Sequence, residues 1–105
     1  MIVVGELINA SRKAIGPAIE AKDEAEVRRV AAEQRAAGAD YIDVNAGIFV
    51  GQEADYLRWL VETVQSELDA PCCIDSPDPR AIEAALKVHK GAPPMINSIS
   101  LEKER

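Results

Sequence analysis

The feature that most constrains this chain is an alternation of two patterns. Short apolar runs rich in β-branched residues are each followed by a longer stretch with helical periodicity, and the cycle repeats along the sequence. Ile2-Val3-Val4 opens as a buried strand and runs into Gly5-Glu6-Leu7-Ile8-Asn9. A polar loop containing glycine and proline follows to about Ala18. Asp23 then reads as a helix N-cap, with Glu26 completing a capping box. Val27, Val30, Ala31 and Ala37 supply the apolar stripe, and Gly38 stops that helix. Tyr41 to Asn45 forms the second strand, closed by Gly47. Leu57, Leu60, Val61, Val64 and Leu68 mark a second helix, ended by Pro71. Cys72-Cys73-Ile74-Asp75 is the third strand. Asp78-Pro79 caps and opens a third helix with Ile82, Ala85 and Leu86, stopped at Gly91. Met95 to Ser98 is the fourth strand, and Glu102 to Arg105 reads as the first turn of one more helix.

Strands joined by helices of this length form right-handed βαβ units and a parallel sheet. No G-x-G-x-x-G follows the first strand and no G-x-x-x-x-G-K-[ST] occurs, so dinucleotide-binding and P-loop folds lose their main support. The remaining common parallel architecture is the (βα)8 TIM barrel, which takes roughly 250 residues. A chain of 105 residues supplies about half of that. The expected fold is therefore α/β, with residues 1–105 forming one domain, the amino-terminal half of a barrel. Cutting a barrel there leaves the first and fourth strands with open edges near Val4 and Ile96, and such edges recruit other chains. A homo-oligomer is expected.

Composition narrows the function classes. No apolar run approaches the ~20 residues of a membrane helix, and Glu6, Arg12 and Lys13 interrupt the first apolar stretch where a signal peptide would need continuity. The net charge of -6 argues against nucleic-acid binding. Cys72 and Cys73 are adjacent, so on a strand they point to opposite faces and make poor disulfide partners. The cytoplasm is the expected compartment.

The chemistry lies at the carboxyl ends of the strands, where a barrel builds its active site. The first strand ends in Glu6 and Asn9, the second in Asp43 and Asn45, the third in Asp75 and the fourth in Asn97. Parity puts Tyr41, Asp43 and Asn45 on one face and Ile42 and Val44 on the other. A ring of Asp and Asn with no Lys, Arg or His on any strand suits a neutral planar heterocycle with N–H donors and carbonyl acceptors. A carboxylate accepts two parallel bonds from an amidine-like edge, and an Asn donates and accepts at once. Two other readings stand beside this one. Strand-end Asp and Asn can simply cap turns or helices, and Glu6, Asp43 and Asp75 could hold a hard metal ion, although the interleaved carboxamides weigh against that.

Four ordered segments also carry a family resemblance. Gly5-Glu6-Leu7-Ile8-Asn9, Gly38-Ala39-Asp40-Tyr41-Ile42-Asp43-Val44-Asn45, Ile74-Asp75-Ser76 and Ile96-Asn97-Ser98-Ile99-Ser100 resemble the successive strand-end signatures of the pterin-binding methyltransferases. These include the methyltetrahydrofolate:corrinoid/iron-sulfur protein methyltransferases and the folate domain of cobalamin-dependent methionine synthase. The related dihydropteroate synthases share the barrel, but their Asn-Val-Thr-Pro-Asp-Ser-Phe and Ser-Thr-Arg-Pro stretches are replaced here by Asn9-Ala10-Ser11-Arg12 and Asn45-Ala46-Gly47-Ile48. The resemblance implies transfer of the N5-methyl of methyltetrahydrofolate to a Co(I) corrinoid, a cobalamin-type cofactor, on a partner protein. It implies that Asp75 and Asn97 are pterin ligands, with Asp43 and Asn45 beside the ring and Glu6 and Asn9 supporting the site. It adds an Asn near N5 from later strands, so no catalytic residue is assigned within this chain. The alternatives are a dihydropteroate synthase and a non-catalytic pterin-binding half-barrel.

The remaining conspicuous residues have plainer readings. His89 reads as a capping or solvent residue, the two cysteines as small strand residues, and Arg28, Arg29 and Arg35 as solvated charges. Tyr56 and Trp59 fall beside the stripe of the second helix, as packing groups or part of a dimer interface.

Overall fold

In a computed structural model that describes residues 1–97, the alternation becomes four strands and four helices. The strands are β1 (Val4–Asn9), β2 (Tyr41–Asn45), β3 (Cys72–Asp75) and β4 (Met95–Asn97); the helices are α1 (Gly16–Glu20), α2 (Glu24–Ala36), α3 (Glu53–Val64) and α4 (Pro79–Val88). All strand pairs are parallel, and the sheet order is β1-β2-β3-β4. A doubly wound sheet reverses direction at a switch point. Here each strand lies beside its sequence neighbour, as in one arc of a barrel.

Right-handed crossovers then place the long helices on a single face. That face of the sheet contributes Ile8, Ile42, Val44, Cys72 and Ile74, all fully buried, and α3 lays Leu57, Leu60 and Val61 against it. The caps behave as their sequences predict. Asp23 Oδ1 accepts from Glu26 N at 3.3 Å, and Asp78 Oδ1 accepts from Arg80 N at 2.9 Å. Glu26 does not return the bond; its carboxylate takes Arg29 instead, at 2.6 and 2.9 Å. Gly38 stops α2 with a φ of 108°, a conformation that costs a side-chain-bearing residue.

Several boundaries differ from the sequence reading. Ile2 and Val3 are 63% and 43% exposed, because the sheet covers β1 on one side only and its ladder begins at Val4. Proline and glycine concealed α1, whose start Pro17 pre-sets and whose Ile19, with neighbouring Ile15, is buried. The helix α3 ends at Val64, well before Pro71, and Leu68 lies beyond it. Gln65 provides the reason. Its buried amide donates to Ala70 O (2.8 Å) and Lys90 O (3.0 Å) and accepts from Lys90 N (3.0 Å), satisfying loop backbone in place of another helical turn. In α4 the buried positions are Ala81 and Ala85, and Leu86 is exposed.

His89 is neither a surface group nor a simple cap. Its Nε2 accepts from Cys72 N at 3.0 Å, tying the end of α4 to the start of β3, and burial lowers its pKa. Arg35 donates to Ala39 O at 2.8 Å and reaches Asp69 O at 3.4 Å, so it ties loops together rather than standing free in solvent. Arg28 and Arg29 do form exposed pairs with Glu24, Glu26 and Glu33. Tyr56 and Trp59 pack against the core; Tyr56 stacks on Phe49 with ring centroids 3.9 Å apart and donates to Glu20 O at 3.1 Å. The Ser98 end of the fourth strand, the Ser98–Ser100 segment and the turn at Glu102 to Arg105 lie outside the described residues.

Candidate functional site

Strand register decides which polar groups can meet. Asn9 pairs with Asn45 across β1 and β2, Val44 pairs with Ile74, and Asp75 pairs with Asn97. One row of the ladder therefore crosses all four strands at their carboxyl ends as Asn9, Asn45, Asp75 and Asn97. Neighbouring members are about 4.8 Å apart along the row. Two residues down, on the same face, Asp43 lies opposite Cys73, which is opposite Met95. Side-chain alternation turns both rows away from the helices.

Glu6 enters this second row through an irregularity. Gly5 pairs with Ile42 and Ile8 with Val44, so Glu6 and Leu7 together span the place of Asp43. This β-bulge re-aims β1 at the site end. Leu7 N, taken out of the ladder, donates to Gln34 Oε1 of α2 at 3.0 Å. A Cβ on Gly5 would lie 2.5 Å from that Oε1, so a side chain there would have to displace Gln34. Gln34 is buried, and its Nε2 has no hydrogen-bond partner among the described residues.

Asp43 is the electrostatic centre of the cluster. It is 6% exposed, and its pKa is pushed up to about 7 by burial first, then by the charges of Asp75 and Glu6. A hydrogen bond from the Cys73 thiol opposes the rise. The two cysteines are unbridged and buried, and burial pushes both thiols up to about 12. They fill space on the strand, as the sequence suggests. Among the described residues, no group of three or more His, Cys, Asp or Glu side chains is placed to hold a metal ion.

The six sequence candidates divide in use. Asn9 Oδ1 accepts from Ser11 N (2.9 Å) and Ser11 Oγ (2.8 Å), and Asn45 Oδ1 accepts from Gly47 N (2.9 Å). The turn-capping reading thus holds for the carbonyl oxygens of both, while their carboxamide nitrogens bond to none of the described residues. Glu6 is exposed beside the cluster, and Asp75 and Asn97 are half-buried at its head.

Two residues that sequence reasoning did not single out hold the far side of this row. Ser76 is 1% exposed; its Oγ donates to Glu53 Oε2 at 2.6 Å and accepts from Asp78 N at 3.0 Å. Its backbone N donates to Asn97 O at 3.0 Å. Glu53 looks from sequence like one more acid in the first turn of a helix, and only the fold brings it to Ser76. A cleft of about 420 Å³ opens beside it, between Gly47, Val50, Glu53, Asp78 and Arg80. A cleft of about 450 Å³ lies by Gln65, Asp69 and Lys90, around the backbone knot described above and away from the acid row.

A carboxylate such as that of Asp75 or Asp43 can accept hydrogen bonds from a planar N–H edge, and a carboxamide such as that of Asn97 can both donate and accept.

The sequence signature of the pterin-binding enzymes matches residues 5–105. A methylcorrinoid:tetrahydrofolate methyltransferase of Eubacterium limosum is 43% identical over 102 residues, which is 97% of this chain and 37% of that protein. The chain thus spans little more than a third of the curated relative it matches.

Proposed function

Since the chain belongs to the pterin-binding enzyme family, we propose that it forms the pterin-holding half of a methyltransferase acting between a folate and a corrinoid. The observation that carries this reading is the ladder row Asn9, Asn45, Asp75 and Asn97, with buried Asp43 beneath it. A pterin presents a 2-amino-pyrimidinone edge with adjacent N–H donors and a carbonyl. Asp75 accepts from that edge, Asn97 pairs with a neighbouring donor and acceptor, and Asn45 borders the ring. Asn9 and Glu6 support the first strand, and Asp43 adds an acceptor from below.

The corrinoid, carried on a partner protein, supplies the cobalt that exchanges a methyl group with N5 of the folate. The residues of this chain bind and orient the ring so that one face stays open towards that partner. Amine nitrogen is a poor leaving group, so N5 needs a proton or a strong hydrogen bond as its methyl bond breaks. The group that supplies it is assigned to strands completing the barrel. The relative's name states transfer from methylcorrinoid to tetrahydrofolate; transfer from methyltetrahydrofolate to Co(I) is the same reaction reversed and uses the same contacts. The 43% identity to that protein supports this substrate pair.

The test uses the assembled barrel, completed by further residues or by a second chain. Calorimetry should show methyltetrahydrofolate binding, weakened by ~1.5–3 kcal/mol in Asp75→Ala, the range for a hydrogen bond to a charged group. Cobalt absorbance should report methyl exchange with a corrinoid protein. An Asp75→Ala protein that binds folate as tightly as the parent removes the assignment.

A further inference from the structure

Asp75 and Asn97 sit on different strands, and neither can present its polar atoms to one flat ring unless the two strand ends keep a fixed separation. The register pairs these residues directly, and Ser76 makes one of the bonds that form the pair: its N–H donates to Asn97 O at 3.0 Å. Its hydroxyl is then locked by both ends of a second linkage, donating to Glu53 Oε2 at 2.6 Å and accepting from Asp78 N at 3.0 Å. Glu53 lies in the first turn of α3, a helix whose packing against the sheet fixes its position. The short O–H···O distance is that of a charge-assisted bond. Ser76 is fully buried, so water does not replace a lost partner without cost.

We propose that Glu53, acting through Ser76, is a positioning residue that sets the spacing of Asp75 and Asn97 for the pterin ring. The proposal rests on the reading of Asp75 and Asn97 as pterin contacts. Glu53 touches no substrate in this scheme. It holds the hydroxyl, the hydroxyl holds the turn at Asp78, and the Ser76 backbone holds the end of β4. A carboxamide at position 53 still offers an oxygen to the hydroxyl, whereas a methyl group offers nothing.

The test compares folate affinity and turnover in the assembled barrel for Glu53→Ala, Glu53→Gln and Ser76→Ala. Glu53→Ala should raise the Kd and KM for methyltetrahydrofolate about tenfold with kcat changed less than twofold, and Glu53→Gln should restore most of the affinity. Glu53→Ala and Ser76→Ala should not be additive, because both cut one linkage. If Ser76→Ala does not fold, the Glu53 pair carries the test by itself. In an Asp75→Asn background, Glu53→Ala should add less than a twofold effect, a result that general destabilisation would not give. If Glu53→Ala binds like the parent while Asp75→Asn is weakened, the positioning role is wrong and the pterin reading stands. If neither change alters binding, the pterin reading itself fails. A Glu53→Gln protein as impaired as Glu53→Ala also overturns the proposal.

Discussion

At the scale of single residues, Asp43 and His89 give the molecule opposite responses to pH. Asp43 has a folded-state pKa near 7 against an ordinary 3.8. A group raised in this way stabilises the fold fully below about pH 4, and that contribution is lost as pH rises through 7. Asp43→Asn mimics the neutral form, so in the assembled barrel the urea midpoint of the parent should fall relative to this variant between pH 5 and 8; parallel midpoints would refute the burial argument. His89 has a pKa lowered from 6.5, and its Nε2 must stay unprotonated to accept from Cys72 N. Its contribution is present above pH 6.5 and is lost as pH falls below it. His89→Ala orphans a buried N–H and should cost about 1–3 kcal/mol at neutral pH, measurable by denaturant unfolding. The sequence showed the acids Asp43, Asp75 and Glu6 because each falls within or at the end of a short apolar strand run. It could not show that Cys73 lies opposite Asp43, or that a histidine from α4 reaches β3, because both depend on register and helix length.

At the scale of elements, the bulge in β1 is a joint construction of Gly5, Leu7 and Gln34. Gly5→Ala would drive a methyl into the Gln34 amide and break its bond to Leu7 N. Overpacking of this kind should cost about 1–3 kcal/mol. Gln34→Ala removes the obstacle, so the double variant should be less destabilised than the sum of the single ones; strict additivity would show that the two residues do not share a site. The long helices were legible from their stripes and caps, and Asp23 and Asp78 cap where their spacing says. The bulge was not legible, since Gly5-Glu6-Leu7 reads as continuous strand. Nor was the early end of α3, because Leu68 keeps the helical spacing while Gln65 diverts the chain.

At the scale of the whole molecule, the sheet has two outer strands, β1 and β4, with apolar groups beside them. Leu7 is 46% exposed, Ile96 44% and Leu86 42%. The polypeptide 1–105 prepared by itself should therefore associate or unfold without cooperativity, and should not transfer methyl groups, which sedimentation at low micromolar concentration and a cobalt assay would check. A monodisperse monomer that unfolds cooperatively would contradict this. The parallel α/β class was readable from alternation, but the order β1-β2-β3-β4 needed the folded structure, because the same alternation also fits doubly wound sheets. That order has a consequence in time. During synthesis each strand finds its partner in the segment made immediately before it, so the arc grows from its first strand outward. The outer edge of β1 pairs with no strand among the described residues, and a stray strand could dock on it. The bulge at Gly5–Ile8 interrupts the row of amides such a strand would need, and Gln34 already occupies the one at Leu7. The irregularity that brings Glu6 beside Asp43 thus also blunts the open edge of the sheet.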